Sequence, residues 1–513
     1  MLFNSYEFLL IFLPLTAAAF FALSAWGHLR SAAGSLALAS IIFYGYWSPV
    51  YVLLLLGSVA GNLLAARAIV QYRASQPPGL AKRALTLAVL ANLCAIGYFK
   101  YANFFVDSLN SLAHTNLSIA HVVLPIGISF FTFTQIAYLV DTYQGKVRET
   151  GVMPYILFVT YFPHLIAGPV LHHAEMMPQF ARNDTYRFHL DNFLIGSAYF
   201  LIGLFKKVVL ADGIQPYVAP VFDADAAYAL TALEAWGGVL AYTLQIYFDF
   251  SGYSDMALGL SKLFNVDLPL NFDSPYKATS ITDFWRRWHM TLSRFLRDYV
   301  YIPLGGNRKG AVSRYLNLMI TMLLGGLWHG ASWTFVFWGG LHGSYLMVNH
   351  GWRALRERFL GATRSTRIGR LLAVLTTFLF VVIAWVFFRA TSLDAALRIL
   401  HGMFSFQELV VPIEWQPALA AWLPADSGTV RFSHLDAFGG TRQLVWIAVL
   451  LAMAWTCPNS QTLIRRFRDG AALASAKRGE WAWFLLGFIA VLVGLLAVIN
   501  GTRGVSEFIY FNF

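Results

Sequence analysis

The sequence predicts an all-α, polytopic integral membrane protein, with about 10–12 transmembrane helices plus re-entrant and interfacial helices around a central cavity. Composition is the first observation behind this fold class. Of 513 residues, 58% are hydrophobic and 12% charged, and the mean hydropathy of +0.57 is too high for a soluble globular chain. Apolar runs of spanning length recur along the chain, and lysines and arginines gather in the connections between them.

A helical crossing needs roughly 20 mostly apolar residues. On that ruler the spans fall near 7–27, 33–48, 50–67, 84–103, 122–142, 190–211, 233–250, 315–331, 333–350, 371–389, 443–457 and 481–500. The run from Phe8 to Ala25 has no basic segment before it and leads into further spans, so it reads as the first transmembrane helix rather than a cleavable signal. The piece 152–171 is apolar but interrupted by Pro163 and Pro169, which makes it a re-entrant candidate. Broken backbone at membrane depth is tolerated only where protein buries it or it lines a cavity.

Loop charge sets the orientation. Arg67, Arg73, Lys82 and Arg83 lie in 67–83, and Lys146 and Arg148 near 146–148, whereas 104–121 has neither Lys nor Arg. Cytoplasmic loops carry the excess of basic residues, so 67–83 and 143–150 are inside, and 104–121 and the N-terminus are outside. The acidic segment 212–232 reads as external, although Lys206 and Lys207 just before it fit that placement poorly. Arg353 to Arg370 and Arg465 to Arg478 mark two more inside loops, and 390–442 is the longest external connection.

The segment 251–314 is internal, basic and rich in aromatic residues. Ser280 followed by Asp283 resembles a capping box. From there Trp288, Leu292, Phe295 and Tyr299 recur on one helical face, with Arg286, Arg287, Arg294 and Arg297 on others. This predicts an amphipathic basic helix in the cytoplasmic interface, with His289 on it. Internal repeats and soluble domains are absent, and the chain reads as a single membrane-embedded domain over 1–513, with its motif-bearing core at about 95–350.

The net charge of +11 is accounted for by topology, anionic lipid and attraction of a phosphate-rich cytosolic donor, so nucleic acid is not an expected partner. Cys94 and Cys457 share no redox or ligand spacing and read as small apolar residues. No metal site is expected: His164, His172 and His173 lie near one another, but no His-Glu-x-x-His pattern is present. Gly252-Tyr253-Ser254 does not make a nucleophile elbow, and no phosphate-binding glycine loop occurs.

The leading candidate for chemistry is His329, in Leu324-Gly325-Gly326-Leu327-Trp328-His329-Gly330 near the end of an apolar run. An ionisable group at membrane depth is costly unless it is partnered or lines a wet cavity, and so marks function by default. The glycines let another backbone or a substrate approach; they equally serve helix packing, with His329 hydrogen-bonded in the core. His289 lies 40 residues earlier, across a turn, where both rings can reach one cavity from opposite sides. Imidazole, which titrates nearest neutrality, suits a pair doing acid–base work. Asp249 and Asp255 read as anchors or caps, with Arg286 or Arg287 as the natural partner, and Asp141 reads the same way.

Six stretches carry a resemblance: Gly97-Tyr98-Phe99-Lys100-Tyr101-Ala102-Asn103-Phe104, Leu124-Pro125-Ile126-Gly127-Ile128-Ser129-Phe130, Phe162 to Val170, Tyr247 to Ala257, Asp283-Phe284-Trp285-Arg286-Arg287-Trp288-His289, and Gly325 to Gly330. In order and spacing they resemble the membrane-bound O-acyltransferases, of the bacterial alginate O-acetyltransferase type. The resemblance implies a catalytic role for His329 and an important second role for His289. Trp285, Arg286, Arg287, Arg294, Trp328 and Asp249 are the candidate substrate-binding residues beside them, the Arg-rich helix attracting donor phosphates. The resemblance further implies a place in the bacterial inner membrane, with the N-terminus in the periplasm, and acetyl transfer from a cytosolic thioester to an external hydroxyl, on an exopolysaccharide or on a periplasmic partner acetyltransferase. Acetyl-CoA is the expected donor substrate, with no tightly bound cofactor. D-alanyl transfer to teichoic acid is the alternative within the family, and a non-enzymatic acyl or polysaccharide transporter the alternative outside it.

Overall fold

The computed structural model describes residues 1–74, 79–360, 366–406, 408–419, 430–469, 487, 491–497 and 506–509. Helix dominates; among the described residues the strands are Leu409–Pro412 and Val430–Ser433, paired in parallel within the segment expected to be external. Five helices are long and apolar enough to cross a membrane, Glu7–Ala25, Pro49–Ala74, Gly79–Ala113, Leu190–Phe222 and Arg367–Arg389, or six if the bent pair Gly440–Thr456 and Ser460–Arg466 counts as one. This is a multi-pass membrane protein. Among the remaining expected spans, Gly310–His329 and Trp333–Leu360 have the length to cross but fall short in apolar character. Leu29–Gly45 and Ile128–Gln144 reach only 17 residues, and Ala232–Leu263 runs well past its expected end at 250, through Asp249 and Asp255 to Leu263. Most of the expected span 481–500 lies outside the described residues, as does the C-terminal tail beyond Ile509.

The chain forms two compact units, each assembled from separated stretches. The first comprises Met1–Leu204, Gly252–Asn271 and Ser460–Phe513. Its core is aromatic: Phe3, Phe8, Phe43 and Phe162 are all but fully buried, and Phe43 and Phe162 pack at 5.6 Å. The interrupted segment divides into Val152–Thr160 and Phe162–Leu165, and residues from Leu157 through Leu171 are buried. Protein therefore covers the break, as membrane burial of irregular backbone demands. Two close approaches need glycine. A Cβ on Gly168 would fall 2.3 Å from the His164 Cα, and one on Gly196 would fall 2.7 Å from the Gly259 carbonyl oxygen, so small residues set the distance between the helices bearing Gly196 and Gly259.

The second unit comprises Phe205–Ser251 and Phe272–Asn459. Gly310–His329 and Trp333–Leu360 form a helical hairpin. A Cβ on Gly326 would meet the Phe335 carbonyl oxygen at 2.2 Å, and one on Gly339 the Met322 carbonyl oxygen at 2.4 Å. Gly330 would likewise strike the Phe335 ring. Two of the three glycines around His329 thus serve helix packing, the plainer of their two sequence readings.

The basic interfacial helix is not continuous. Ile281–Trp285 and Met290–Leu296 are separate helices, followed by a π-helical turn at Arg297–Tyr301. The capping box is present, with the Asp283 N–H donating to the Ser280 hydroxyl at 3.1 Å and the Thr279 N–H to the Asp283 carboxylate at 3.1 Å. The first helix ends at Trp285, and the second starts from His289, which caps it at a left-handed φ of +43°. A side-chain-bearing residue enters that region only when its surroundings fix it there. The break turns Trp288 and His289 inward, and both are 0% exposed.

Candidate active site

Every residue singled out for substrate or chemistry lies in the second unit, where the rings of His289 and His329 lie with centroids 6.3 Å apart. Two elements converge to do this. The helix Gly310–His329 ends on His329, and the break between Ile281–Trp285 and Met290–Leu296 delivers His289. Trp328 touches both, at 4.9 Å from His329 and 5.6 Å from His289. Phe250 packs edge-on against His289 at 4.9 Å, and Phe388 and Trp338 close on His329 at 5.0 and 5.1 Å. Burial pushes the His289 imidazole down to about 3, since a charged ring would lose its hydration here. It is therefore a neutral imidazole at physiological pH, able to accept or donate a hydrogen bond.

One histidine escaped the sequence reading. His342 is fully buried on Trp333–Leu360 and accepts a hydrogen bond at Nδ1 from the Trp285 indole N–H at 3.3 Å. Trp338 stands between it and His329, with centroids 4.8 and 5.1 Å away. The Nε2 of His342 has no partner among the described residues. A signal was present, because Gly339-Gly340-Leu341-His342-Gly343 echoes Gly325-Gly326-Leu327-Trp328-His329-Gly330. Trp285 is thereby fixed by a hydrogen bond next to the histidine cluster.

The arginines behave differently from one another. Arg287 is held by Asp283 at 2.9 Å and donates to the Asp273 carbonyl at 3.2 Å, so it braces the break. Arg286 is exposed, and Arg294 half-buried. The expected pairing of Asp249 with Arg286 or Arg287 is corrected: Asp249 accepts from Lys207 at 2.7 Å, and Lys207 also reaches Asp212 at 2.9 Å. Lys207 and Asp249 are almost completely buried. A buried ion is retained only with a close partner, which explains how Lys207 sits beside a segment that charge placed outside. Asp249 is an anchor in this arrangement, one residue from the Phe250 that packs on His289.

In the first unit Asp141 also anchors, though its partners are histidines and a lysine rather than an arginine. Its carboxylate meets His172 Nε2 at 2.8 Å, His173 Nε2 at 3.1 Å and Lys146 at 3.7 Å. The three ligand-type atoms of Asp141, His172 and His173 lie within 4.8 Å of one another. However, His172 Nδ1 accepts the Ala174 N–H at 3.3 Å, so its Nε2 carries the proton that Asp141 accepts. A cation there would have to displace that proton. Asp255, in the same unit, accepts from the Ser460 hydroxyl.

Comparison with known proteins now bears on this geometry. The model of the membrane-bound O-acyltransferase family matches residues 79–391, which include both histidines and all six flanking site residues. The chain belongs to the membrane-bound O-acyltransferase family. It is 43% identical over 429 residues to the peptidoglycan O-acetyltransferase of Helicobacter pylori, covering 79% of this chain and 80% of that protein. It is 44% identical over 419 residues to the probable alginate O-acetylase AlgI of Pseudomonas aeruginosa, covering 79% and 75%. The teichoic acid D-alanyltransferase of Bacillus subtilis is more distant, at 27% over 270 residues and half of this chain. As a membrane-bound O-acyltransferase the protein is an enzyme that forms an ester at a hydroxyl, and the site must bring together a donor carbonyl, an acceptor oxygen and a base.

Proposed function

We propose that this acyltransferase moves an acetyl group from cytosolic acetyl-CoA to a hydroxyl outside the bacterial inner membrane, with its N-terminus in the periplasm. The acceptor is a hydroxyl of a cell-surface polysaccharide, alginate-like or peptidoglycan, or of a periplasmic acetyltransferase that passes the group on. The single observation that carries the chemistry is the approach of His289 and His329 to 6.3 Å in an aromatic enclosure. His329 acts as general base. As the acceptor oxygen attacks the thioester carbonyl carbon, its proton passes to the His329 imidazole. Collapse of the tetrahedral adduct breaks the C–S bond, and the proton goes to the departing thiolate, so that an ester and a thiol leave and the imidazole is neutral again. His289 hydrogen-bonds a reacting atom from the other side. Trp285 and Trp328 wall the reacting groups, Asp249 positions the helix behind His289, and Arg286 and Arg294 attract the donor phosphates. The acetyl reading is preferred to D-alanyl transfer because the O-acetylating relatives align over nearly four-fifths of this chain and the D-alanyl-transferring one over half.

The test is an assay in inverted membrane vesicles containing the polymer, supplied externally with radiolabelled acetyl-CoA. The expected result is release of free CoA with label appearing on material inside the vesicles. Consumption of a carrier-bound D-alanyl thioester instead would move the protein to the D-alanyl branch, and passage of label without thioester cleavage would make it a transporter.

A further inference from the structure

The first unit contains a cleft of about 270 Å³ that the acyl-transfer reading does not use. Its lining combines the apolar Ile195, Leu258 and Ile464 with Lys262, Arg465 and Arg468. Lys262 shares its charge with Asp267 at 2.7 Å, which leaves the lining net positive. The cleft is preformed. Gly196 lets its helix close on Gly259 of Ala232–Leu263. The Ser460 hydroxyl bonds to Asp255 and anchors the start of Ser460–Asp469, while Gln179 grips the Asp267 backbone through two bonds of 2.8 and 2.9 Å.

The chemistry that fits such a lining is a phosphate oxyanion attached to a hydrocarbon. A free phosphate would use the arginines and leave the apolar lining residues without purpose. Two further observations favour a lipid. Leu270, on the lining, is 37% exposed, and Leu463, beside Arg465 and Arg466, is 42% exposed, so apolar and basic groups are presented together, as on a helix resting at a bilayer surface. Lys262 and Arg465 also belong to the segments whose basic residues assign them to the cytoplasmic side, where a negatively charged leaflet would supply the ligand. We propose that this cleft is a binding site for an anionic phospholipid, its phosphate held by Arg465, Arg468 and Lys262 and its acyl chain laid along Ile195, Leu258 and Ile464.

The experiment compares wild type with the Arg465→Ala/Arg468→Ala double variant in nanodiscs of phosphatidylcholine, with and without phosphatidylglycerol, reading the midpoint of thermal unfolding and the lipid retained on purification. Phosphatidylglycerol is expected to raise the wild-type midpoint by several degrees and to be retained. The double variant should match wild type in phosphatidylcholine and lose the shift. Ile195→Trp, which fills the cleft without altering charge, should also lose it, and Arg466→Ala, outside the lining, should keep it. Equal shifts in all four proteins would overturn the proposal, as would a shift reproduced in phosphatidylcholine by soluble CoA or inorganic phosphate.

Discussion

His289 shows how much a single buried side chain can determine. Its backbone adopts a left-handed conformation at the start of a helix, its ring is fully buried, and the same burial holds it neutral. The folded state therefore binds a proton at this ring less readily than the unfolded chain, whose imidazole titrates at about 6.5. Its contribution to stability is complete above that value and is lost as pH falls towards about 3. Lowering the pH from 7 to 5 in detergent is expected to cost about 2 kcal/mol through this group, and His289→Gln should flatten the corresponding slope in a thermal-melt series. His342 makes a different kind of contribution. It holds the Trp285 indole and, through Trp338, borders His329. Removing it in His342→Ala should lower turnover about 10- to 100-fold by misplacing groups at the site. His342→Asn, which can still accept from the indole, should recover part of the loss in the same vesicle assay.

At the scale of the element, the helical hairpin that ends on His329 is closed by glycines. Gly326→Leu forces the two helices apart at a point where even a Cβ would fall 2.2 Å from a carbonyl oxygen. It should destabilise the protein by about 1–3 kcal/mol or more and reduce activity together with stability. Gly351→Ala, on the same hairpin but with nothing within 4 Å of the added carbon, should raise the melting temperature slightly, since alanine is favoured over glycine in a helix by about 1 kcal/mol. The buried triad of Lys207, Asp212 and Asp249 supplies the complementary test. Lys207→Met strands two carboxylates and is expected to cost about 3–5 kcal/mol, whereas Lys207→Met combined with Asp249→Asn and Asp212→Asn should regain much of it, as read by retained folded protein after detergent extraction.

For the whole molecule, much of the plan was legible in the sequence because its signals are local. Apolar runs, the prolines of 152–171 and the Ser280–Asp283 cap each depend on neighbours in the chain, and the structure shows long apolar helices, the interruption after Thr160 and the cap. Partnerships were legible only in part. That Asp249 and Asp141 are anchors could be read, but their partners, Lys207 and the His172–His173 pair, lie 42 and about 30 residues away, where only the fold decides contact. The unbroken amphipathic face from Trp288 to Tyr299 misled for a related reason. Helical periodicity records which side chains are apolar, and it does not record that His289 leaves the helical region of backbone space. His342 carries the same glycine-flanked local pattern as His329, but its tie to Trp285 spans 57 residues and exists only in the fold.

The account rests on His329 as the base, and the most direct measurement is the initial rate of acetyl transfer from labelled acetyl-CoA in inverted vesicles, for wild type and His329→Ala at equal levels of folded, inserted protein. Loss of a positioned general base typically costs about 10²- to 10⁴-fold, and a fall in that range, with unfolding midpoint and lipid dependence unchanged, is the expected result. A rate within a factor of a few of wild type would contradict the assignment and transfer the role of base to another group, with His289 the first to be tested.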